Sequence, residues 1–438
     1  MKILIKNGRI IDPAGSVDTI GNLLIEDGKI VGFPRSTSSL ERRQETVVID
    51  ATGKVIAPGF VDLHANLCEP GFEHRETIRT GSLAAAAGGF TTVACTPNTD
   101  PVNDNASVTE YILFKARTEG SIGILPLGAI TKGGEGTTLA EIGEMKEAGC
   151  VGITDISHPI MNARVMRLAM SYARAFDIPV LTDCRDTNLS GGGVMNEGYL
   201  STVLGLRGDP AASEEIMVSR NIALAALTGS RVHISHVSTR EAVRLIKDAK
   251  RRGIGVTADV APHHFTLTES AVSGYDTCSK VMPPLRTEAD VEAIIEGLRE
   301  GTIEAISSDH TPISEDEKKV EFDLAPFGIS SFETCLSLSL SLVRMEALTL
   351  AQMVEKLTVA PSRILGIDRG TLRVGAVADV TVFDDKETYK VDRSMFYSKS
   401  RNTPFHGFTL SGKVLCTIAS GRIVYADRER MSLPPLEG

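Results

Sequence analysis

The feature that most constrains this chain is an alternation of short apolar runs with longer amphipathic stretches, sustained from about residue 56 to residue 309. The apolar runs fall at 56–63 (IAPGFVDL), 90–95 (FTTVAC), 123–129 (GILPLGA), 150–155 (CVGITD), 178–183 (IPVLTD), 231–236 (RVHISH), 254–260 (IGVTADV) and 303–309 (IEAISSD). Between them, 103–118, 139–148, 161–176, 211–228, 239–252 and 288–300 carry apolar residues at helical spacing. Such alternation builds parallel βα units, and eight strands is the number that closes a (β/α)8 barrel. The barrel is assigned to 55–368. Active sites of this fold lie at the C-terminal strand ends. His64, Asp183, His236 and Asp309 are therefore expected at one mouth, although they are far apart in sequence.

Two distant segments have a different character. Residues 2–11, 22–33 and 46–57 alternate polar and apolar side chains between Gly, Asp-Gly and Thr-Gly turns, and 378–384, 413–418 and 421–426 do the same. Chain ends often lie close together, so 1–54 and 369–438 are read as one composite β-sandwich domain. A length of 438 residues suits a large barrel with such a satellite. The net charge of −10 argues against nucleic acid or an anionic membrane as partner. The N-terminus, MKILIKNGRIID, lacks the apolar core of a signal peptide, and no stretch approaches the roughly 18 apolar residues of a membrane span. A cytoplasmic location is expected. Cysteines at 68, 95, 150, 184, 278, 335 and 416 show no CxxC spacing. They read as mostly buried thiols rather than as a zinc ribbon or a disulfide framework.

The first strand run leads into Pro58-Gly59-Phe60-Val61-Asp62-Leu63-His64-Ala65-Asn66-Leu67-Cys68-Glu69-Pro70-Gly71. An imidazole two residues after His64 would point the same way, but that place holds Asn66. His236 closes the run His233-Ile234-Ser235-His236, in which His233 reads as internal. Asp309 lies in Ser307-Ser308-Asp309-His310-Thr311-Pro312, and the fifth strand ends Asp183-Cys184-Arg185-Asp186. His263 and His264, after Ala261-Pro262, are read as structural. A lone histidine at a strand end is usually structural. The weight of His64 and His236 comes from their context.

That context resembles the class I dihydroorotases of the amidohydrolase superfamily. The run from Gly71 through Ala84-Ala85-Ala86-Ala87-Gly88-Gly89-Phe90-Thr91-Thr92 to Pro97-Asn98-Thr99 is similar to the family almost residue for residue. So are Gly191-Gly192-Gly193-Val194-Met195-Asn196-Glu197-Gly198, Pro283-Pro284-Leu285-Arg286 and Ser398-Lys399-Ser400-Arg401-Asn402-Thr403-Pro404. The resemblance implies an α/β fold: a (β/α)8 TIM barrel of the amidohydrolase type with a small β-sandwich formed by both termini. It also assigns roles. His64 and His236 match metal-binding histidines. Asp309 matches the aspartate that coordinates metal and shuttles the proton between the attacking water and the leaving nitrogen. Asn98 matches a residue that holds the substrate carboxylate.

Other positions depart from the family pattern. Asn66 replaces the second histidine and Cys68 an arginine. Ile156 falls where a second aspartate binds metal, and Asp183 where a histidine does. Met282 replaces an asparagine, and Ile313 a substrate-binding histidine. A carboxylate can bind zinc, so Asp183 stays in the expected ligand set of His64, Asp183, His236 and Asp309. The related hydantoinases bridge two metals with a carbamylated lysine, yet no lysine occurs between Lys146 and Lys247. Loss of the arginine removes two charge-assisted hydrogen bonds of roughly 1.5–3 kcal/mol each, about two to four decades in affinity or rate.

The resemblance therefore implies a protein of pyrimidine biosynthesis binding at most one zinc, weakly, and serving as a non-catalytic partner of aspartate transcarbamoylase in a homo- or hetero-oligomer. The alternative is an active zinc-dependent cyclic amidohydrolase with an altered metal site, in which Asp309 is catalytic. It would act on dihydroorotate, the ring formed from N-carbamoyl-L-aspartate, or on a related cyclic amide.

Overall fold

The computed structural model describes residues 2–41 and 46–430; of the segments assigned to the terminal domain, residues 1, 42–45 and 431–438 lie outside the described residues. The chain opens with β1 (Lys2–Asp12), β2 (Val17–Glu26), β3 (Lys29–Gly32), β4 (Thr46–Asp50) and β5 (Val55–Pro58). The expected strand 22–33 is split, because Asp27 and Gly28 adopt φ of 50° and 78° and turn the chain back on itself. The expected strand 46–57 is also two, and both β4 and β5 pair parallel with β1.

The run 56–63 is not one barrel strand. Val55–Pro58 stays in the terminal sheet, and the barrel begins with β6 (Phe60–Ala65). Gly59 makes the handover, since a Cβ there would lie 2.1 Å from the Thr91 hydroxyl oxygen. No larger residue fits.

The barrel continues through β7 (Phe90–Cys95), β8 (Gly123–Ala129), β9 (Gly152–Thr154) and β10 (Val180–Asp183). A short parallel pair, β11 (Met195–Asn196) and β12 (Gly208–Asp209), lies in the excursion that follows. Then come β13 (Val232–Ser235), β14 (Val256–Val260) and β15 (Ala305–Ile306). The eight barrel strands pair parallel in the order β6-β7-β8-β9-β10-β13-β14-β15. The six expected helices are present within a few residues, as Ala106–Glu119, Ile142–Ala148, Ala163–Ala175, Ala212–Thr228, Arg240–Arg251 and Glu288–Glu300. Arg240–Arg251 shows why. Thr239 caps its first turn by accepting from the Ala242 N–H at 3.1 Å, and Ala242, Val243, Ile246 and Ala249 form its buried stripe.

No ladder joins β15 to β6. The seam is closed by an isolated bridge between Ala65 and His310, with the Asn66 N–H donating to the His310 carbonyl at 2.8 Å. Below it, the fully buried Asp62 of β6 accepts from the Ser307 hydroxyl at 2.9 Å, the Ser308 N–H at 2.7 Å and the Ser308 hydroxyl. Burial pushes this carboxyl upward, and the Ser308 and Ser307 bonds counter it.

The chain ends in β16 (Val380–Lys390), β17 (Thr409–Ala419) and β18 (Arg422–Ala426). The two terminal sets, expected as a β-sandwich, are joined through β5 and β16 into one continuous sheet, β18-β17-β16-β5-β1-β2-β3, with β4 also on β1. Ile3, Ile5, Leu23, Ile25, Val380, Val382 and Leu415 pack together as its own core, each contributing about 1.5–3 kcal/mol by burial. All seven cysteines are free, and six are buried. Among the described residues no helix is long and apolar enough to cross a membrane.

Candidate functional site

Three elements deliver the central group. His64 stands near the end of β6, His236 just beyond β13, and Asp309 just beyond β15. One donor atom from each lies within 4.8 Å of the other two, and all three residues are buried. His64 Nδ1 is 2.6 Å from His236 Nε2 and 3.1 Å from Asp309 Oδ1, while His236 Nε2 is 3.6 Å from that oxygen. His236 and Asp309 reach this geometry through left-handed backbone, φ 54° and 51°, a conformation that costs a non-glycine residue about 1–3 kcal/mol. Burial works against charge on His236, but the Asp309 and Asp259 carboxylates outweigh it and push the imidazole up to about 10. Burial likewise opposes ionisation of Asp309, and His236 and His64 hold it well below the usual carboxylate range.

Asp259, fully buried on β14, organises the histidines. One oxygen accepts from the His236 N–H at 2.7 Å and lies 3.1 Å from its Nδ1, off the hydrogen-bonding direction; the other meets His233 Nε2 at 2.8 Å. His233 also contacts Thr257 Oγ1 at 2.9 Å, and so is internal, as its spacing implies. His264 pairs with the Pro283 carbonyl at 2.9 Å. His263 is closer to the chemistry than its sequence context suggests: among the described residues its Nε2 has no hydrogen-bond partner, and it lies 3.6 Å from Asp309 Oδ2.

The substituted positions have been absorbed into the scaffold. Asn66 donates from Nδ2 to Thr311 Oγ1 at 2.9 Å and accepts from Thr96 Oγ1 at 2.7 Å, so its amide ties the first strand to the loops after the second and eighth. Cys68 is buried, and burial pushes its thiol up to about 12, so it stays protonated. Ile156 lies half-buried in a turn after β9. Its neighbour Asp155 accepts from the Asp183 N–H and the Ile160 N–H, both at 2.9 Å, and burial pushes its carboxyl up to about 7. Asp183, at the tip of β10, is buried within electrostatic reach of His236, His64 and Asp309 but outside the group whose donors converge within 4.8 Å; burial pushes it upward. Arg185 points to Asp209 at 2.8 Å, and Ile313 is buried with its N–H on Asn402.

A cavity of about 300 Å³ has Phe72, Asn98, Thr131, Asp155, Ile156 and His158 in its wall; His64, Asp183, His236 and Asp309 do not line it. Asn98 meets the Thr96 hydroxyl that also holds Asn66.

The donor set fits one metal ion. Two imidazole nitrogens only 2.6 Å apart beside a carboxylate need a proton or a cation between them. A second ion is not provided for in the same way: Asn66 is engaged at both ends, and Ile156 offers no lone pair.

Residues 53–242 match the family described as dihydro-orotase-like, and residues 338–425 match an amidohydrolase family. A dihydroorotase of Pelotomaculum thermopropionicum is 52% identical over 98% of this chain and 99% of its own length. One of Syntrophus aciditrophicus is 49% identical over 98% of this chain and all of its own. The chain belongs to the dihydroorotase family. Among solved structures it resembles the L-hydantoinase of Arthrobacter aurescens, with TM-score 0.87 at 24% identity over 97% of this chain and 96% of that one. A D-hydantoinase superposes with TM-score 0.86 at 21% identity, over 99% and 97% of the two chains. At these identities the likeness is one of fold, the amidohydrolase barrel.

Proposed function

We propose that this dihydroorotase-family chain is an active hydrolase of cyclic amides working with a single metal ion. The observation that supports it most is the convergence of His64, His236 and Asp309 on one point, in a chain about half identical to dihydroorotases along nearly its whole length. In this class of reaction a water oxygen bonds to the ring carbonyl carbon, the ring C–N bond breaks, and the nitrogen takes up a proton. Asp309 carries that proton: ionised at the start, its carboxylate takes it from the attacking water and hands it to the leaving nitrogen. Asp259 fixes the orientation of His236. His263, beside Asp309 Oδ2, limits where the protonated oxygen can turn. A metal held by His64, His236 and Asp309, with Asp183 beside them, would polarise the carbonyl and ease deprotonation of water. The test is ring opening of dihydroorotate and of carboxylate-free cyclic amides by zinc-reconstituted protein, followed by chromatography. Turnover that disappears in Asp309→Asn supports the reading. No turnover of any ring above background would sink it.

A second reading is a non-catalytic partner of aspartate transcarbamoylase. It is favoured by Asn66, Cys68 and Ile313, three mouth positions where the resemblance assigns ligand or substrate contacts and the side chains now serve packing or hydrogen bonding within the protein, and by Ile156, which offers no lone pair. Sedimentation with the cognate transferase tests it. A defined complex that survives zinc chelation is expected, and independent sedimentation at micromolar concentration counts against it.

A further inference from the structure

We infer that His263 binds the metal, supplying from the seventh barrel strand the third imidazole that the first strand lacks at Asn66. This deepens the single-ion reading of the site, on which it rests, by a donor that the family resemblance does not assign.

His263 follows closely on β14, in a tight turn over Pro262–Phe265 that Pro262 opens with its fixed φ. The turn is pinned. The Leu267 N–H donates to the His263 carbonyl at 2.9 Å, the Thr266 hydroxyl to the Pro262 carbonyl at 2.7 Å, and His264 Nε2 meets the Pro283 carbonyl at 2.9 Å. Because β14 pairs with β15 through Asp259–Ala305 and Val260–Ile306, the turn after the first of these strands adjoins the loop that carries Asp309.

One carboxylate therefore faces imidazoles on both sides. Asp309 Oδ1 lies 3.1 Å from His64 Nδ1 and 3.6 Å from His236 Nε2, and Oδ2 lies 3.6 Å from His263 Nε2. Donor atoms about 2.0–2.1 Å from a zinc ion stand roughly 3.3 Å apart at tetrahedral angles. The His263 approach is too long for a hydrogen bond and close to that edge. His263 is only 1% exposed, and among the described residues its Nε2 has no hydrogen-bond partner. A structural histidine is satisfied, as His233 is by Thr257 and Asp259. A bare imidazole nitrogen beside a donor carboxylate is satisfied by a cation shared with it. The nitrogen stands outside the three donors that converge within 4.8 Å, and reaches the ion from the Oδ2 side. Zinc takes a fifth ligand, so three imidazoles and a carboxylate leave room for water.

The test is spectroscopic, so that it stands apart from turnover. Full-length His263→Cys protein is loaded with cobalt(II), and its absorption is compared with that of the cobalt-loaded unmodified chain. A thiolate on the ion adds a sulfur-to-cobalt charge-transfer band in the near ultraviolet. Gain of that band is expected, since a thiol at 263 ligates only if the side chain there reaches the metal. Should the variant not fold, X-ray absorption of the zinc-loaded unmodified protein decides: three imidazoles per zinc are expected. No added band, or two imidazoles, overturns the inference alone; a chain that takes up neither metal overturns the single-ion reading with it. If the band appears while the unmodified protein opens no ring, the ligand assignment stands and the hydrolase reading falls.

Discussion

Asp259→Asn separates orientation of the site from its composition. The carboxylate holds His236 by a backbone bond of 2.7 Å and a 3.1 Å approach to Nδ1, and His233 by a 2.8 Å contact. An amide keeps the shape and removes the charge. Hydrogen bonds to a charged group contribute about 1.5–3 kcal/mol and neutral ones about 0.5–1.5, so the bond from the His236 N–H loses roughly 1 kcal/mol, and the 3.1 Å approach to Nδ1, a charge contact and not a hydrogen bond, loses roughly 1 kcal/mol as well. Two of them amount to about 2 kcal/mol, a weakening of roughly thirtyfold in metal affinity at 1.4 kcal/mol per decade, within the 10- to 100-fold expected when a residue that orients a ligand is changed. Folding should suffer less, because the mutation also relieves the desolvation of a fully buried carboxylate. The assay is zinc competition against a chromophoric chelator, with circular dichroism to confirm that the variant is folded. A folded Asp259→Asn protein whose zinc affinity lies within threefold of the unmodified chain would refute the reasoning.

Zinc-reconstituted protein should hold one tightly bound equivalent by elemental analysis, reduced severalfold in His64→Ala and His236→Ala; two tight equivalents would contradict the single-ion site. Asp62→Ala orphans three buried donors at roughly 1–3 kcal/mol each and should destabilise the fold by about 3–5 kcal/mol in urea denaturation; a loss under 1 kcal/mol would mean the seam is held by other contacts. Asp155, raised from 3.8 to about 7 in the fold, keeps a proton that the unfolded chain gives up, so its contribution is fully present below about pH 4 and lost as pH rises to about 7. The stability of the unmodified protein relative to Asp155→Asn should fall across that window by up to about 4 kcal/mol, and parallel pH profiles would show that the carboxyl titrates normally.

The barrel was legible because its signal is periodic and local. What the sequence could not show was where one sheet stops and the next begins. Nothing in IAPGFVDL marks Gly59 as a crossing point, since the side chain that forbids a larger residue belongs to Thr91 on another strand. His64, His236 and Asp309 could be placed together because the fold gathers strand ends at one mouth. Their left-handed backbone at His236 and Asp309 has no sequence signature in a non-glycine residue. The role of Asn66 was equally hidden, for its partners Thr96 and Thr311 lie 30 and 245 positions away. His263 was read as structural, and only coordinates place its unpartnered nitrogen beside Asp309.

The clasp made by Asp62 has a consequence for the chemistry above it. His64 and Asp309 stand on opposite banks of the one gap in the barrel that no strand ladder spans. Their separation is therefore governed by one carboxylate gripping Ser307 and Ser308, together with the Ala65–His310 bridge at the rim. The clasp acts as a spacer for the donor atoms. A substitution there that left every donor in place would still change the width of their bite, and with it the size of ion the site prefers.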